Sequence, residues 1–263
     1  MNLSLENKSA IVCGSTRGIG KAVAVELAKA GAEIILVARD EEKLKMIKNE
    51  LSTDEHQHHQ YFTADFSSPD ELKMNLEKFL SRYKQPVHIL VNNTGGPGSG
   101  LISQAPTSEF ISAFNSHLIC NHILAMALLP KMQEAGYGRI INIISTSVKT
   151  PLNNLGVSNT IRAAVANWAK TMANEMGRYG ITVNNVLPGA TKTDRLTAII
   201  NKNAAKQSTG TAEIEKQMLE EIPAKRFGDA EEIANAVAFL ASPAASYING
   251  INLPVDGGRT PSL

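Results

Sequence analysis

The feature that most constrains the fold is a glycine-rich turn between a short apolar run and a helical pattern. The apolar residues 10–13 are followed by Gly14-Ser15-Thr16-Arg17-Gly18-Ile19-Gly20, and Ile19, Val23 and Leu27 then recur at intervals of four. This pattern predicts a strand, a tight turn and an amphipathic helix. Glycines let the backbone approach a pyrophosphate, and a helix N-terminus attracts phosphate. The context therefore predicts a dinucleotide-binding turn over residues 14–20 rather than a plain structural turn.

Further apolar runs follow, and helical patterns separate them. Each run has the length of a buried parallel strand and lacks the polar alternation of a half-exposed one. Alternating strands and helices with right-handed crossovers predict an α/β protein: a single-domain Rossmann fold with a doubly wound parallel sheet and helices on both faces. The predicted strands are 10–13, 34–37, 87–91, 140–144 and 181–187.

The length of 263 residues suits one such domain over residues 1–263, and no linker marks a second one. The polar residues 53–60 are predicted to form a loop. Residues 194–222 have a mixed polar and helical pattern, and we expect them to form a mobile insertion that covers the substrate.

The end of the second apolar run bears on the choice of dinucleotide. An NAD-type site places an acidic side chain at this strand tip, where it binds the ribose 2′-hydroxyl. Here Ala38 and Arg39 occupy the tip, and Arg17 lies in the glycine-rich turn. Two converging guanidiniums suit a 2′-phosphate, so the sequence favours NADP(H). In the alternative interpretation, Arg39 is only solvated and Asp40 caps the next helix.

Composition narrows the classes of function. The chain has 26 basic and 25 acidic residues, so its charge predicts neither nucleic-acid binding nor a membrane-surface patch. Cys13 and Cys120 lack metal-ligand spacing, and Cys13 is expected to be a reduced buried thiol. His56, His58 and His59 lie in a polar segment without a ligand pattern, so no metal site is predicted. No apolar leader is visible, and the longest unbroken apolar stretch is too short to span a bilayer, so a cytoplasmic protein is expected.

Four further motifs follow the glycine-rich turn in the order of the predicted elements. They are Asn92-Asn93-Thr94-Gly95, Ser145, Pro188-Gly189, and a C-terminal stretch from Gly228 through Phe239-Leu240-Ala241-Ser242 to Val255-Asp256-Gly257-Gly258. Together the five motifs resemble the short-chain dehydrogenase/reductase family over nearly the whole chain. The similarity is strongest to its 3-oxoacyl-acyl-carrier-protein reductase-like branch.

The resemblance implies the rest of a cofactor site and a substrate class. The implied substrate is a small-molecule carbonyl or alcohol, with an acyl thioester as one option. The implied assembly is a homo-oligomer, either a tetramer or a dimer. The implied contacts are Asp65 and Phe66 at the adenine, Asn92, Thr94 and Gly95 at the central sheet and ribose, and Pro188, Gly189, Thr191 and Thr193 at the nicotinamide.

The catalytic residues depart from the family's pattern. Family members use an Asn–Ser–Tyr–Lys tetrad in which Tyr stands thirteen residues after Ser and Lys four after Tyr. Ser145 is present, but those positions are Ser158 and Arg162, and the asparagine position falls on His117. A serine alcohol is a much weaker acid than a phenol, and arginine keeps its proton near neutral pH. Ser158 and Arg162 are therefore expected to preserve cofactor binding better than acid catalysis.

Two other side chains are candidate proton donors. Lys149 lies four residues after Ser145, in the loop expected beside the nicotinamide, and desolvation can tune a lysine toward neutrality. His117 titrates near neutral pH when it is unperturbed. The alternatives are a solvated loop cation for Lys149 and a hydrogen-bonded helix histidine for His117. The catalytic candidates are thus Ser145, Ser158, Arg162, His117 and Lys149, and Arg162 is also a candidate cofactor contact.

Two functions fit the sequence. The first is an NADP(H)-dependent oxidoreductase that reduces a carbonyl or oxidises an alcohol by hydride transfer, with Ser145 orienting the carbonyl and a nonstandard proton donor. The second is a catalytically silent NADP-binding protein that acts as a sensor, a scaffold or a partner subunit. The intact cofactor-binding motifs favour the first function. The three replaced tetrad residues, at positions 117, 158 and 162, motivate the second.

Overall fold

Seven short segments pair side by side in one fully parallel sheet. The computed structural model describes residues 1–262 and gives the strand order β3-β2-β1-β4-β5-β6-β7. The chain changes direction across the sheet between β1 and β4, which opens a crevice at the carboxyl ends of these strands. The strands are β1 Ser9–Cys13, β2 Glu33–Ala38, β3 Gln60–Thr63, β4 Ile89–Asn92, β5 Gly138–Ile143, β6 Ile181–Pro188 and β7 Asn252–Val255.

Helices cover both faces of the sheet, which confirms the predicted fold class. One face packs against α1, α2 and α9, and the other against α3, α5 and α6. Asp40 accepts a hydrogen bond from the backbone nitrogen of Lys43 at 3.1 Å, so it is indeed the N-cap of α2. In the described residues the helices are α1 Gly18–Lys29, α2 Glu41–Glu50, α3 Pro69–Arg82, α4 Thr107–Phe114, α5 Cys120–Glu134, α6 Gly156–Met176, α7 Asp194–Gln207, α8 Thr211–Glu220 and α9 Ala230–Ala241.

Strand β1 shows why the sheet is built from continuous apolar runs. Ala10 and Val12 belong to the cluster on one face, whereas Ile11 and Cys13 belong to the cluster on the other. All four are fully buried because helices cover both faces. Burial raises the pKa of the Cys13 thiol far above its ordinary value, in agreement with the expected reduced and buried cysteine.

The two edge strands were not among the predicted strands. β3 begins at Gln60, so the loop ends at residue 59 and not at residue 60 as predicted. Only Phe62 in this strand is buried. β7 is partly exposed along its whole length and contains Pro254, which an edge strand tolerates because one side of its backbone has no partner. Neither strand has the continuous apolar pattern by which the central strands were identified.

A row of asparagines crosses four neighbouring strands at equivalent register positions; the first three are buried and Asn252 on the edge strand is half-buried. Asn92 Nδ2 donates to Asn142 Oδ1 at 2.8 Å, Asn142 Nδ2 to Asn185 Oδ1 at 2.9 Å, and Asn185 Nδ2 to Asn252 Oδ1 at 2.8 Å. A shift of one residue would break these bonds inside the sheet, where an unpaired amide is costly. The asparagine row therefore fixes the register of β4 to β7.

Two helical regions outside the central layers bear on function. Helices α7 and α8 pack on each other around Leu196, Ile200 and Ile214, and they form the segment expected to cover the substrate. The continuous helical run Thr107–Glu134, which contains α4 and α5, has 28 residues and is long and apolar enough by composition to cross a membrane. Its residues Cys120 and Leu124 nevertheless pack against the sheet, as those of a core helix do.

Candidate active site

The glycine-rich turn lies between β1 and α1 and has the shape that a bound phosphate requires. Gly14 and Gly18 have φ angles of +60° and +53°, and a Cβ on Gly20 would lie 2.2 Å from the carbonyl oxygen of Gly14. Side chains are therefore excluded at these positions. No side chain caps the N-terminus of α1, so its first backbone N–H groups are available to a phosphate. These features fit a dinucleotide pyrophosphate.

The ends of β1, β2 and β4 are tied together around this turn. Ser15 Oγ accepts a hydrogen bond from the backbone nitrogen of Val37 at 3.1 Å, and Asn93 Nδ2 donates to the carbonyl of Cys13 at 3.2 Å. Asn92 is buried, and its Nδ2 donates within the asparagine row whereas its Oδ1 has no partner in residues 1–262, so its contact with the cofactor stays a prediction. Thr94 and Gly95 follow β4 at the crevice and stay predicted cofactor contacts.

The segment after β6 faces the glycine-rich turn. A Cβ on Gly18 would lie 3.2 Å from Cγ2 of Thr193, so the two predicted parts of the cofactor site are adjacent. Thr193 Oγ1 donates to the carbonyl of Thr191 at 3.2 Å, and Thr191 Oγ1 donates to that of Gly189 at the same distance. Pro188 ends β6 and directs this segment into the crevice.

The structure gives Arg17 and Arg39 separate partners. Arg17 forms a 3.6 Å ion pair with Asp194, and both side chains are about four-fifths exposed (76% and 80%). Arg39 lies near Asp65, whose pKa is lowered first by the backbone N–H of Ser67 and also by the Arg39 charge. Exposed pairs are weak, so Arg17 can leave Asp194 at little cost. The convergence of the two arginines on a 2′-phosphate stays a prediction.

Ser145 follows β5 at the carboxyl edge of the sheet and is half-buried. Its Oγ accepts a hydrogen bond from the backbone nitrogen of Ser147 at 3.1 Å, which caps the short helical turn Thr146–Val148. A hydroxyl that accepts one bond can still donate its proton. Lys149 ends the same turn, with its backbone nitrogen bonded to the Thr146 carbonyl at 3.0 Å. The turn thus fixes the position of Ser145 relative to Lys149.

Ser158 and Arg162 lie in the first two turns of α6, at the positions where the family has Tyr and Lys. Ser158 is only 3% exposed, and its Oγ accepts a hydrogen bond from Arg162 Nε at 3.3 Å. Arg162 Nη1 donates to the carbonyls of Ile143 and Ile144 at 3.2 and 2.8 Å. Burial lowers the Arg162 pKa to about 10, and the nearby Arg195 charge acts in the same direction. Arg162 therefore stays a cation at neutral pH, and Ser158 is too deep to meet a substrate directly.

His117 lies in a π-helical turn, Asn115–Ile119, between α4 and α5, a local geometry frequent at functional sites. The side chain is 5% exposed, and its Nε2 is buried without a hydrogen-bond partner. Burial, together with the charges of Arg162 and Arg195, lowers the His117 pKa to about 3. The imidazole is therefore neutral at physiological pH. This corrects the hypothesis that His117 is a proton donor there, since its environment disfavours the imidazolium.

Arg195 is a site residue that the sequence analysis missed. It stands in the first turn of α7, and its Nη1 donates to the carbonyl of Gly96 at 3.1 Å. A cation is unfavourable at the N-terminus of a helix because the helix dipole is positive there. That unusual placement was the one signal in the sequence that could have singled out Arg195.

The histidine-rich segment before β3 has a structural role. His59 Nδ1 accepts a hydrogen bond from the backbone nitrogen of Ile34 at 3.0 Å, and Nε2 lies 2.7 Å from the carbonyl of Ser52. His59 is therefore buried, although it belongs to the segment that was predicted to be a polar loop. Across residues 1–262, no group of three or more His, Cys, Asp or Glu side chains is placed to hold a metal ion.

Comparisons with known proteins agree with this fold and with the family resemblance of the sequence. The family model described as enoyl-(acyl carrier protein) reductase matches residues 14–260. The 3-oxoacyl-[acyl-carrier-protein] reductase FabG of Vibrio cholerae is 36% identical over 97% of this chain and 98% of its own length. The 7alpha-hydroxysteroid dehydrogenase of Escherichia coli is 33% identical over 100% of this chain and 98% of its own. The chain belongs to the short-chain dehydrogenase/reductase family and is a FabG-like member of it.

Solved structures extend the comparison to the cofactor. L-sorbose reductase from Gluconobacter frateurii, complexed with NADPH and L-sorbose, has a TM-score of 0.92 and 30% identity, and the match covers 100% of both chains. The NADPH-dependent reductase YwfH of bacilysin biosynthesis has a TM-score of 0.90 and 27% identity over 97% of this chain and 99% of its own. These neighbours agree with the predicted NADP(H) cofactor.

Proposed function

We propose that the protein is an NADP(H)-dependent oxidoreductase that reduces a carbonyl or oxidises an alcohol with a nonstandard active site. The observation that carries this proposal is the position of Ser145, which follows β5 in the same crevice as the glycine-rich turn and the segment Pro188 to Thr193. The cofactor would be held by these segments and would supply a hydride to the carbonyl carbon.

The residues of the chain then act on the carbonyl oxygen. Ser145 Oγ donates a hydrogen bond that orients the carbonyl and stabilises the negative charge that develops on its oxygen. The Arg162 guanidinium adds fixed positive charge beside this strand end, because it is anchored on the carbonyls of Ile143 and Ile144. Lys149, on the turn that Ser145 caps, is the proposed source of the proton that completes the alcohol.

The experiment that tests this function is NADPH oxidation by the purified protein with a broad panel of carbonyl compounds that includes 3-oxoacyl thioesters. Turnover of a carbonyl with matching alcohol formation is the expected result. No turnover of any carbonyl by NADPH-saturated protein would instead support the second function, a catalytically silent NADP-binding sensor, scaffold or partner subunit. The burial of Ser158 at the tyrosine position is the observation that favours that alternative.

We expect NADPH to bind more tightly than NADH. Arg39→Ala should reduce the ratio of the two affinities by about 10- to 100-fold, the range for the loss of hydrogen bonds to a charged group. The side chain is exposed at the end of β2 and can reach a 2′-phosphate. Fluorescence titration with both cofactors measures the effect. Arg82→Ala, which removes an exposed arginine at the end of α3, is the control. Equal affinity of the parent protein for NADPH and NADH would refute the assignment.

The assembly and location of the protein belong to the same proposal. We propose that residues 1–263 work as one domain in a cytoplasmic homo-oligomer, a tetramer or a dimer, with residues 194–222 as a mobile cover over the substrate. Large apolar side chains exposed on α4 and α5 support self-association: Ile111, Phe114 and Met126.

A further inference from the structure

Two arginines from distant parts of the chain meet at one glycine beside the proposed active site. A Cβ on Gly96 would lie 2.7 Å from Nη2 of Arg195 and 3.0 Å from Nη2 of Arg162. The loop after β4 therefore allows this approach only because residue 96 has no side chain. The two Nη2 atoms are therefore at most 5.7 Å apart, so one carboxylate beside Gly96 can bridge them.

Both Nη2 groups keep donor hydrogens for a ligand. Arg162 uses Nε on Ser158 and Nη1 on the carbonyls of Ile143 and Ile144. Arg195 uses Nη1 on the carbonyl of Gly96. These bonds hold each guanidinium in place, so the ligand would meet a rigid pair of donors.

Neither arginine of the pair forms an ion pair within residues 1–262. Among residues 1–262, no carboxylate lies within the 4.0 Å ion-pair distance of either guanidinium. Asp194, the sequence neighbour of Arg195, pairs with Arg17 instead. The positive charge of Arg195 is also opposed by the dipole of α7. Two neighbouring cations without an anion are unfavourable, and a bound anion would relieve this repulsion.

A third polar group beside the pair has no partner. The Nε2 atom of His117 is buried and unpaired, and the charges of both Arg162 and Arg195 act on this ring. A buried polar atom without a partner is costly, so a bound ligand or water that reached His117 Nε2 would be stabilised there.

We propose that Arg162 and Arg195 bind the carboxylate of the substrate, which is therefore an oxo acid or the corresponding hydroxy acid. Arg162 is anchored to the two residues that directly precede Ser145, so the carboxylate and the reacting carbonyl would lie at the same strand end. A planar carboxylate matches guanidinium donors in geometry and charge. The inference rests on the proposed function for the reaction, and it adds the class of substrate. A cofactor phosphate offers the same oxyanion chemistry, and the experiment separates the two sources.

The test measures binding, independently of turnover. Protein saturated with NADP⁺ is titrated calorimetrically with 2-oxobutanoate, 4-oxopentanoate and 5-oxohexanoate and with their methyl esters. At least one acid is expected to bind more tightly than its ester. Arg195→Gln should lower the affinity of the protein for that acid by about 10- to 100-fold. NADPH affinity should stay within about 2-fold, well below the tenfold of a lost charged contact. Lys78→Gln removes an exposed charge from α3, outside the proposed substrate cover, and should change neither affinity.

A second variant keeps every charge and changes only the geometry. Gly96→Ala places a methyl group where the two Nη2 atoms converge, so it should abolish the preference for acid over ester. Three results would overturn the inference. No acid binds better than its ester, Gly96→Ala keeps the preference for acid over ester, or Arg195→Gln lowers the affinity for NADPH and not that for the acid. Turnover of neutral carbonyls alone refutes this inference and not the proposed function. Acid binding without any turnover refutes the proposed function only.

Discussion

Replacing Ser145 by alanine is expected to lower kcat/KM for carbonyl reduction by about 100- to 1000-fold, the usual effect of removing one donor to a developing oxyanion. Ser145 follows β5 at the crevice, and the bond from the Ser147 nitrogen fixes its hydroxyl. Residue 158 is a serine, so the tyrosine that would share this task with Ser145 in the family's tetrad is absent. NADPH oxidation with the best substrate of the carbonyl panel measures the effect.

The control for this prediction separates catalysis from folding. Ser81→Ala removes an exposed hydroxyl at the end of α3 and should leave kcat/KM unchanged. NADPH affinity and the melting temperature of Ser145→Ala should stay close to those of the parent protein, because the lost bond only caps a short turn. Full activity in Ser145→Ala would mean that another group orients the carbonyl.

The largest effect on stability is expected at the centre of the asparagine row. Asn142→Leu leaves Asn92 Nδ2 and Asn185 Oδ1 without partners in the fully buried sheet. Each unsatisfied buried group costs about 1–3 kcal/mol, so the free energy of unfolding should fall by about 2–6 kcal/mol. For a chain of this size the melting temperature should fall on the order of 10 °C. Denaturant titration and thermal melting measure both quantities.

Two further variants test the cause of this loss. Asn252→Leu at the end of the row breaks one bond and not two, so it should destabilise the protein by less than Asn142→Leu. Asn49→Leu changes an exposed residue of α2 and should shift stability by no more than about 0.5 kcal/mol. Equal losses for Asn142→Leu and Asn252→Leu would attribute the effect to packing and not to the hydrogen bonds.

The central fold could be predicted from the sequence because its signals are local. The run from Ala10 to Cys13 alternates between the two faces. Gly14 and Gly18 are required by their positive φ angles, and Gly20 by its close approach to the carbonyl of Gly14. The edge strands β3 and β7 could not be predicted in this way. Their side chains are half-exposed, so pairing with a neighbouring strand, and not an apolar pattern, makes them strands.

The candidate site was predictable only where a motif carries the chemistry. Ser145 and the replaced positions Ser158 and Arg162 follow from counting along the chain, and the structure brings the last two into hydrogen-bond contact. The neutral state of His117 could not be foreseen, because burial and two arginine charges decide it. Arg195 was missed because its position above Gly96 depends on how α7 packs over the crevice.

The asparagine row also constrains the order in which the protein can fold. Its four members come from β4, β5, β6 and β7, so they are spread along the chain from residue 92 to residue 252. Asn185 acquires an acceptor only when β7, close to the C-terminus, has joined the sheet. Contacts between such distant residues form slowly because the intervening chain must first be ordered. During synthesis, the polar centre of this sheet therefore stays incomplete until β7 has left the ribosome.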